Sequence, residues 1–445
     1  MMNRIQLSDH FTYRRLIRFT LPSILMMIFT SIYGVVDGFF VSNYVGTTPF
    51  ASLNLIMPFI MLFAAIGFML GSGGSALTAL TLGKGDPERA NEIFSLVIYT
   101  CIVLATICAV VGFITVPKVA VLLGASDTML PYCVTYARVS MLGLPAYMLQ
   151  NCFQTFLITA ERPRMGLVVT VLAGVTNMIL DALFMGVFHW GIGSAAAASI
   201  IGEYIGALIP MIFFFTPNRS RLRLTKTHFY GKALIKVMTN GSSEFLSNVS
   251  MSIVNMLYNW QLIRLAGENG VSAYGIIMYT NLIFSGVFFG YSIGMSPIAG
   301  FDLGAKNDQE LRNVFSRSIK MIAAAAILMA AVAISAAGPL ASIFARKSPE
   351  LLAMTTKAIR LYSLSYLIMG FNIFGSAFFT AMNNGAISAL ISFLRTLVFQ
   401  VASLLVLPVL LGLNGIWLSI VVAEGLAFIV TLTCLIRYRG VYHYA

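Results

Sequence analysis

The chain has 445 residues, of which 58% are apolar and 10% charged, with a mean hydropathy of +0.87. Soluble domains carry roughly 25% charged residues, and disordered chains carry little apolar bulk, so both classes are excluded and most of the chain must lie in lipid. A net charge of +12 would suggest nucleic acid in a soluble protein, but no such partner is expected, because most of the basic residues fall on the loops of one membrane face.

A helix needs about 20 apolar residues to cross a hydrocarbon layer, and the runs between polar or Gly/Pro breaks predict twelve crossings. The first, 15–44, contains Pro22, a candidate kink, and sets Tyr33 and Asp37 one turn apart. No A-x-A cleavage site follows it, so it is expected to be retained. The second and third, 51–80 and 92–116, are apolar, and the fourth, 131–159, holds Gln150 and Gln154. The fifth, 165–187, pairs Asn177 with Asp181, and the sixth, 191–215, pairs Ser199 with Glu203. A basic connector, 217–235, follows. The seventh, 236–263, carries Glu244 near its start and then Asn255, Tyr258 and Asn259. The eighth, 271–300, carries Tyr279, the ninth is 314–337, and the tenth, 353–382, holds Asn372. The eleventh, 386–410, holds Arg395, and the twelfth, 413–436, holds Glu424.

Placing the N-terminus inside puts 20 of the 28 Lys and Arg on the cytoplasmic side, among them Arg4, Arg14, Arg15, Arg18, Arg219 and Arg221. The outside holds six, including Arg346 and Lys347. By the positive-inside rule both termini are cytoplasmic and the protein is a multi-pass protein of the cell (inner) membrane.

The sequence also matches itself. Shifted by 221 residues, 50–98 aligns without gaps on 271–319 with eleven of 49 positions identical, and the same offset pairs Phe153 with Phe374 and Glu203 with Glu424. Each half has six spans and therefore enters the membrane in the same sense. The expected fold is an all-α polytopic membrane protein of twelve transmembrane helices in two pseudo-symmetric six-helix bundles: 1–216, the connector 217–235, and 236–445. Two like bundles with a cleft between them suit the rocking motion of a secondary transporter. No P-loop is present, so ATP is not the expected energy source.

Ionisable groups inside a membrane are costly and therefore functional candidates. Asp37 and Asp181 lie at similar depth, about 10 Å from the outer end of their helices. Together with Tyr33, Asn177, Ser199 and Glu203 they offer the oxygens to hold a proton or a Na⁺, the latter on Asp37, Asn177, Asp181 and Ser199. Gln150, Gln154, Asn255, Tyr258, Asn259, Tyr279, Asn372 and Arg395 are candidates to line a substrate cavity, with Arg395 also placed to pair with Glu424 or to snorkel. Methionines such as Met26, Met27, Met57 and Met61 suit a surface that accepts many apolar shapes. Glu244 reads as a helix-start charge. An embedded enzyme would need a nucleophile with its base or a metal cluster, and no His falls within a span, so neither an enzyme nor a cofactor is expected.

The run Ile32-Tyr33-Gly34-Val35-Val36-Asp37-Gly38-Phe39-Phe40-Val41, the repeated steps Leu82-Gly83 and Leu303-Gly304, and Asn177-Met178-Ile179-Leu180-Asp181 together resemble the multidrug and toxic compound extrusion (MATE) family over essentially the whole chain. The resemblance implies a monomeric cation-coupled antiporter that expels small amphiphilic, often cationic, compounds from the lipid-embedded cleft in exchange for H⁺ or Na⁺. It implies a cation site at Tyr33, Asp37, Asn177, Asp181 and Ser199. The tenth span lacks an acid, which makes the chain more similar to the DinF-like or related bacterial branches. A flippase for lipid-linked precursors, from the same superfamily, is the alternative.

Overall fold

The computed structural model describes residues 5–218, 220–346 and 348–445, so Arg4, Arg219 and Lys347 of the charge count lie outside the described residues. Helices α1 (Tyr13–Phe40), α2 (Thr47–Gly83), α3 (Pro87–Leu122), α4 (Leu130–Thr159), α5 (Pro163–Asp181) and α6 (Ile192–Phe215) form the first half. The second half is α7 (Gly231–Gly304), α8 (Asp308–Ser335), α9 (Ala337–Ala345), α10 (Pro349–Ser363), α11 (Tyr366–Ala381), α12 (Gly385–Phe393), α13 (Phe399–Leu411) and α14 (Leu413–Tyr442). Among the described residues there is no strand.

Among the described residues, nine helices, with α12 and α13 counted as one, are long and apolar enough to cross a membrane. The 74-residue α7 supplies two crossings, because Gly267 (φ 61°, ψ −150°) breaks it in a conformation open to glycine and costly for other residues. Helices α10 and α11, bent by 49°, form one more crossing. Helix α4, 30 residues long, completes the twelve; Arg138, Gln150, Asn151 and Gln154 lower its hydropathy. Helix α1 runs unbroken through Pro22. The eleventh crossing is α12 and α13 joined by a π-helical turn, Leu394–Val398, that contains Arg395.

The two halves meet through glycine. Gly286, Gly290 and Gly294 recur every four residues on the second arm of α7 and face α1, where a Cβ on Gly294 would lie 3.1 Å from the Thr20 Cα. Between α2 and α7, side chains at Gly73 and Gly241 would overlap the carbonyls of Val237 and Met69 respectively. At the far end of the same pair, Gly83 and Gly304 would overlap Phe301 and Leu80. Backbone touches backbone along this seam, so the halves are sealed on the face where both termini lie.

A strap before α1 crosses that seal. Leu7 and Phe11 are fully buried. The Leu7 amide donates to Glu161 Oε1 in the α4–α5 turn at 2.9 Å, and the Phe11 amide donates to Glu310 Oε1 on α8 at 2.8 Å. His10 Nδ1 lies 2.7 Å from Glu310 Oε2, and Arg221 Nε pairs with Glu161 at 3.0 Å. The other terminus closes on the second half, where Arg312 Nε donates to the His443 carbonyl at 2.8 Å and the buried Tyr444 ring packs tilted against Phe315 and edge-on to Phe378.

Candidate functional site

Within the first half, α1, α2, α4, α5 and α6 enclose a cavity of about 210 Å³. Tyr33, Asp37, Asn177, Ser199, Glu203 and Gln150 all stand on its wall. Residues spaced by one helical turn project there together from each helix, as Tyr33 and Asp37 do from α1 and Ser199 and Glu203 from α6. Asp181, at the last turn of α5, is fully buried and meets the Asp37 carboxyl side chain to side chain. Helices α1 and α5 each pass directly into a π-helical turn, Val41–Val45 and Ala182–Val187, just beyond the two aspartates. Such turns are frequent at functional sites.

The donor set is one-sided. Asn177 Nδ2 donates to Ser199 Oγ at 3.2 Å. That leaves Asn177 Oδ1, Asp37 Oδ1, both Asp181 carboxylate oxygens and Gln150 Oε1 buried with no protein donor. Buried acceptors without partners are expensive, and two carboxylates in contact need a positive charge between them. A proton or a small hard cation supplies that charge, and an all-oxygen shell of carboxylate, amide and hydroxyl suits either. No cluster of three His, Cys, Asp or Glu fit for a metal occurs among the described residues.

Among the wall residues that escaped the sequence reading are Tyr136, Ser140 and Tyr147 of α4. The signal was there, since Tyr136, Ser140, Tyr147 and Gln150 form a polar stripe at helical spacing along an apolar span.

A second cavity, of about 240 Å³, lies between the halves. Met26 and Met27 of α1, Phe68 of α2 and Gln154 of α4 face Met251, Phe289 and Thr380 of the second half across it. Glu244 is on its wall as well. The expectation of a helix-start charge fails there because α7 begins at Gly231, more than three turns earlier. Gln154 is thus placed as expected for a substrate cavity, while Gln150 belongs to the first-half cavity.

The remaining six candidates line neither of these cavities. Tyr258 is buried and stacks on Tyr274 with ring centroids 4.6 Å apart, and the Tyr274 hydroxyl donates to Asn255 Oδ1 at 2.7 Å. Asn259 is on the exposed side of α7, and Tyr279 stacks with Phe344. Arg395 Nε donates to Glu424 Oε1 at 2.8 Å, and Asn372 Nδ2 to Glu424 Oε2 at 2.7 Å. These residues were chosen for polarity within a span, and polarity there equally serves helix-to-helix hydrogen bonds.

Comparison with known proteins follows the same division into halves. The MatE family model matches residues 22–183 and again 245–405. The chain belongs to the MatE family. As a MATE transporter it is a multi-pass membrane protein and not an enzyme. It is 23% identical to "Multidrug export protein MepA" of Staphylococcus haemolyticus (strain JCSC1435), over 93% of this chain and 90% of that protein. Its fold overlays on a crystal structure of MATE in the straight conformation with a TM-score of 0.93 at 22% identity, covering 100% of both chains. A structure described as the outward-facing conformation of a multidrug resistance MATE family transporter overlays with a TM-score of 0.91 at 23% identity, also over 100% of both.

Proposed function

We propose that this MATE transporter is a cation-coupled multidrug antiporter of the cell membrane. A H⁺ or Na⁺ arriving from outside binds in the first-half cavity, and a small amphiphilic organic compound leaves from the cleft between the halves. The observation that carries the reading is the contact between the Asp37 and Asp181 carboxyls, with unpartnered oxygens of Asp37, Asp181 and Asn177 around it. Neutralising that pair removes the repulsion between α1 and α5 and so changes the spacing they favour, and α1 also forms part of the cleft wall through Met26 and Met27. Ion binding and substrate release therefore share one helix. The thioethers and aromatic rings of the cleft suit substrates of varied shape, and Glu244 gives it one carboxylate to meet a cationic group.

The termini are assigned to the cytoplasm by the charge bias, and the protein is taken to work as a monomer in lipid. A cationic pocket for the phosphates of a lipid-linked precursor is less well supported, because the one basic side chain considered for it, Arg395, is bound to Glu424.

Asp37→Asn tests the coupling. In proteoliposomes, export driven by an imposed H⁺ or Na⁺ gradient should fall by about 100-fold or more, in line with loss of about 3 kcal/mol of coupling, with membrane insertion unchanged. Export at the wild-type rate in this variant would reject the assignment.

A further inference from the structure

The two halves treat matching positions in opposite ways. At the 221-residue offset of the repeat, Gly174 corresponds to Arg395 and Glu203 to Glu424. In the first half, Gly174 and Glu203 both stand on the wall of the open cavity beside Asp37. In the second half, the position of the missing side chain carries a guanidinium. Arg395 Nε donates to Glu424 Oε1 at 2.8 Å and to Oε2 at 3.1 Å, and Asn372 Nδ2 adds a third donor at 2.7 Å. The Glu424 side chain is 1% exposed and that of Arg395 11%. Glu244 and Tyr362 also face the guanidinium.

The hydrogen-bond ledger differs accordingly. Neither Glu424 carboxylate oxygen is left without a donor, whereas Asp37, Asp181 and Asn177 in the first half keep buried oxygens that no protein group satisfies. A guanidinium is charged at every accessible pH and is fixed to the chain, so it neutralises a buried acid without ever being released. An acid held this way cannot exchange ions during a transport cycle.

We propose that Arg395 is a built-in counter-cation: it permanently fills, in the second half, the place that a coupling ion takes transiently in the first, and so confines ion coupling to the first half. The inference rests on the cation-coupled reading of the first-half cavity. Arg395 acts here through Glu424, as a positioning residue, with no contact to the substrate required.

The test uses the full-length protein and the variants Arg395→Lys, Arg395→Met and Arg395→Met/Glu424→Gln. In proteoliposomes, with ethidium as the probe, the number of coupling cations per dye is read from the cation gradient that just balances a known dye gradient. Arg395→Lys and the double variant should keep the wild-type ratio, because neither leaves a charged Glu424 without its partner. Arg395→Met should raise the ratio by about one, since Glu424 must then draw a cation from solution. A second readout needs no transport. As pH is lowered from about 8 to about 5.5, or as Na⁺ is added, Arg395→Met in detergent should gain more thermal stability than wild type and the double variant, because all three share the first-half acids and only Arg395→Met adds an unpaired buried carboxylate, Glu424, whose neutralisation stabilises the fold.

An unchanged ratio and an unchanged stability profile in Arg395→Met would overturn the proposal. So would loss of gradient-driven export in the double variant, which would put the coupling on this pair. Should wild type export ethidium under neither gradient, the coupling reading itself falls, and the stability comparison still decides whether Arg395 replaces an exchangeable cation. The double variant also covers the case in which Arg395→Met alone fails to insert.

Discussion

Asn177 is the hinge of the first-half site in chemical terms: its amide nitrogen is spent on Ser199, and its oxygen points where no donor exists. Asn177→Asp keeps the oxygen and adds a negative charge beside Asp37 and Asp181, whereas Asn177→Ala removes the oxygen altogether. If an ion is held there, the alanine variant should need about 10-fold more cation for half-maximal export, corresponding to about 1.4 kcal/mol. Equal cation requirements in wild type and Asn177→Ala, measured by dye export against H⁺ and Na⁺ titrations, would remove this residue from the site. In the second half, Glu424→Ala leaves the Arg395 guanidinium buried without its partner, a change that typically costs about 3–5 kcal/mol. Thermal unfolding of the purified variant should show a large drop, absent from Asn177→Ala. Much of this chemistry was legible beforehand, because a carboxylate in an apolar span demands a partner and turn spacing says which neighbour shares its face. The Asp37–Asp181 contact is an example. Tyr258 and Asn372 line neither described cavity, because a hydrogen bond between helices and a cavity-lining group need the same polar atoms, and one chain of letters does not distinguish them.

At the scale of elements, the seam between halves depends on the absence of side chains. Gly286, Gly290 and Gly294 let α7 lie against α1, and Gly73 faces the α7 backbone near Gly241. Gly290→Leu forces α1 and α7 apart where the Ile24 backbone now fills the space, an overpacking worth about 1–3 kcal/mol. Because the clash exists only while this face is closed, the change should shift the population toward the open form. Cysteine labelling from the termini side, at Ser72 on the cleft wall, should speed up in that variant; labelling at the wild-type rate would show that the seam has a slack the structure does not display. The repeat was readable from identities at a fixed offset, and Gly73 paired with Gly294 is among them. Their task was not readable, since a glycine is equally a turn, a kink or a close approach until its neighbour in space is known. The division of α7 at Gly267 falls in the break expected between 236–263 and 271–300, whereas the bend between α10 and α11 was hidden, because hydropathy counts residues and is blind to backbone angles.

Over the whole molecule, the strap before α1 holds both halves at once, through Glu161 on one and Glu310 on the other. Rocking that opens this face must detach it from at least one anchor. The variant Glu161→Gln/Glu310→Gln keeps the geometry and weakens the charge-assisted bonds, each worth about 1.5–3 kcal/mol. It should open this face more often, seen as faster proteolysis of the strap. No hydropathy scan finds such a device, since Leu7 and Phe11 are two apolar residues in a polar tail. Its anchors also set an order of events during synthesis. Phe11 precedes its partner Glu310 by 299 positions, so this segment must wait until α8 has been translated before it can dock there. The strap therefore cannot take its full seat before α8 is made, and a nascent chain halted after α6 should still present it to a protease.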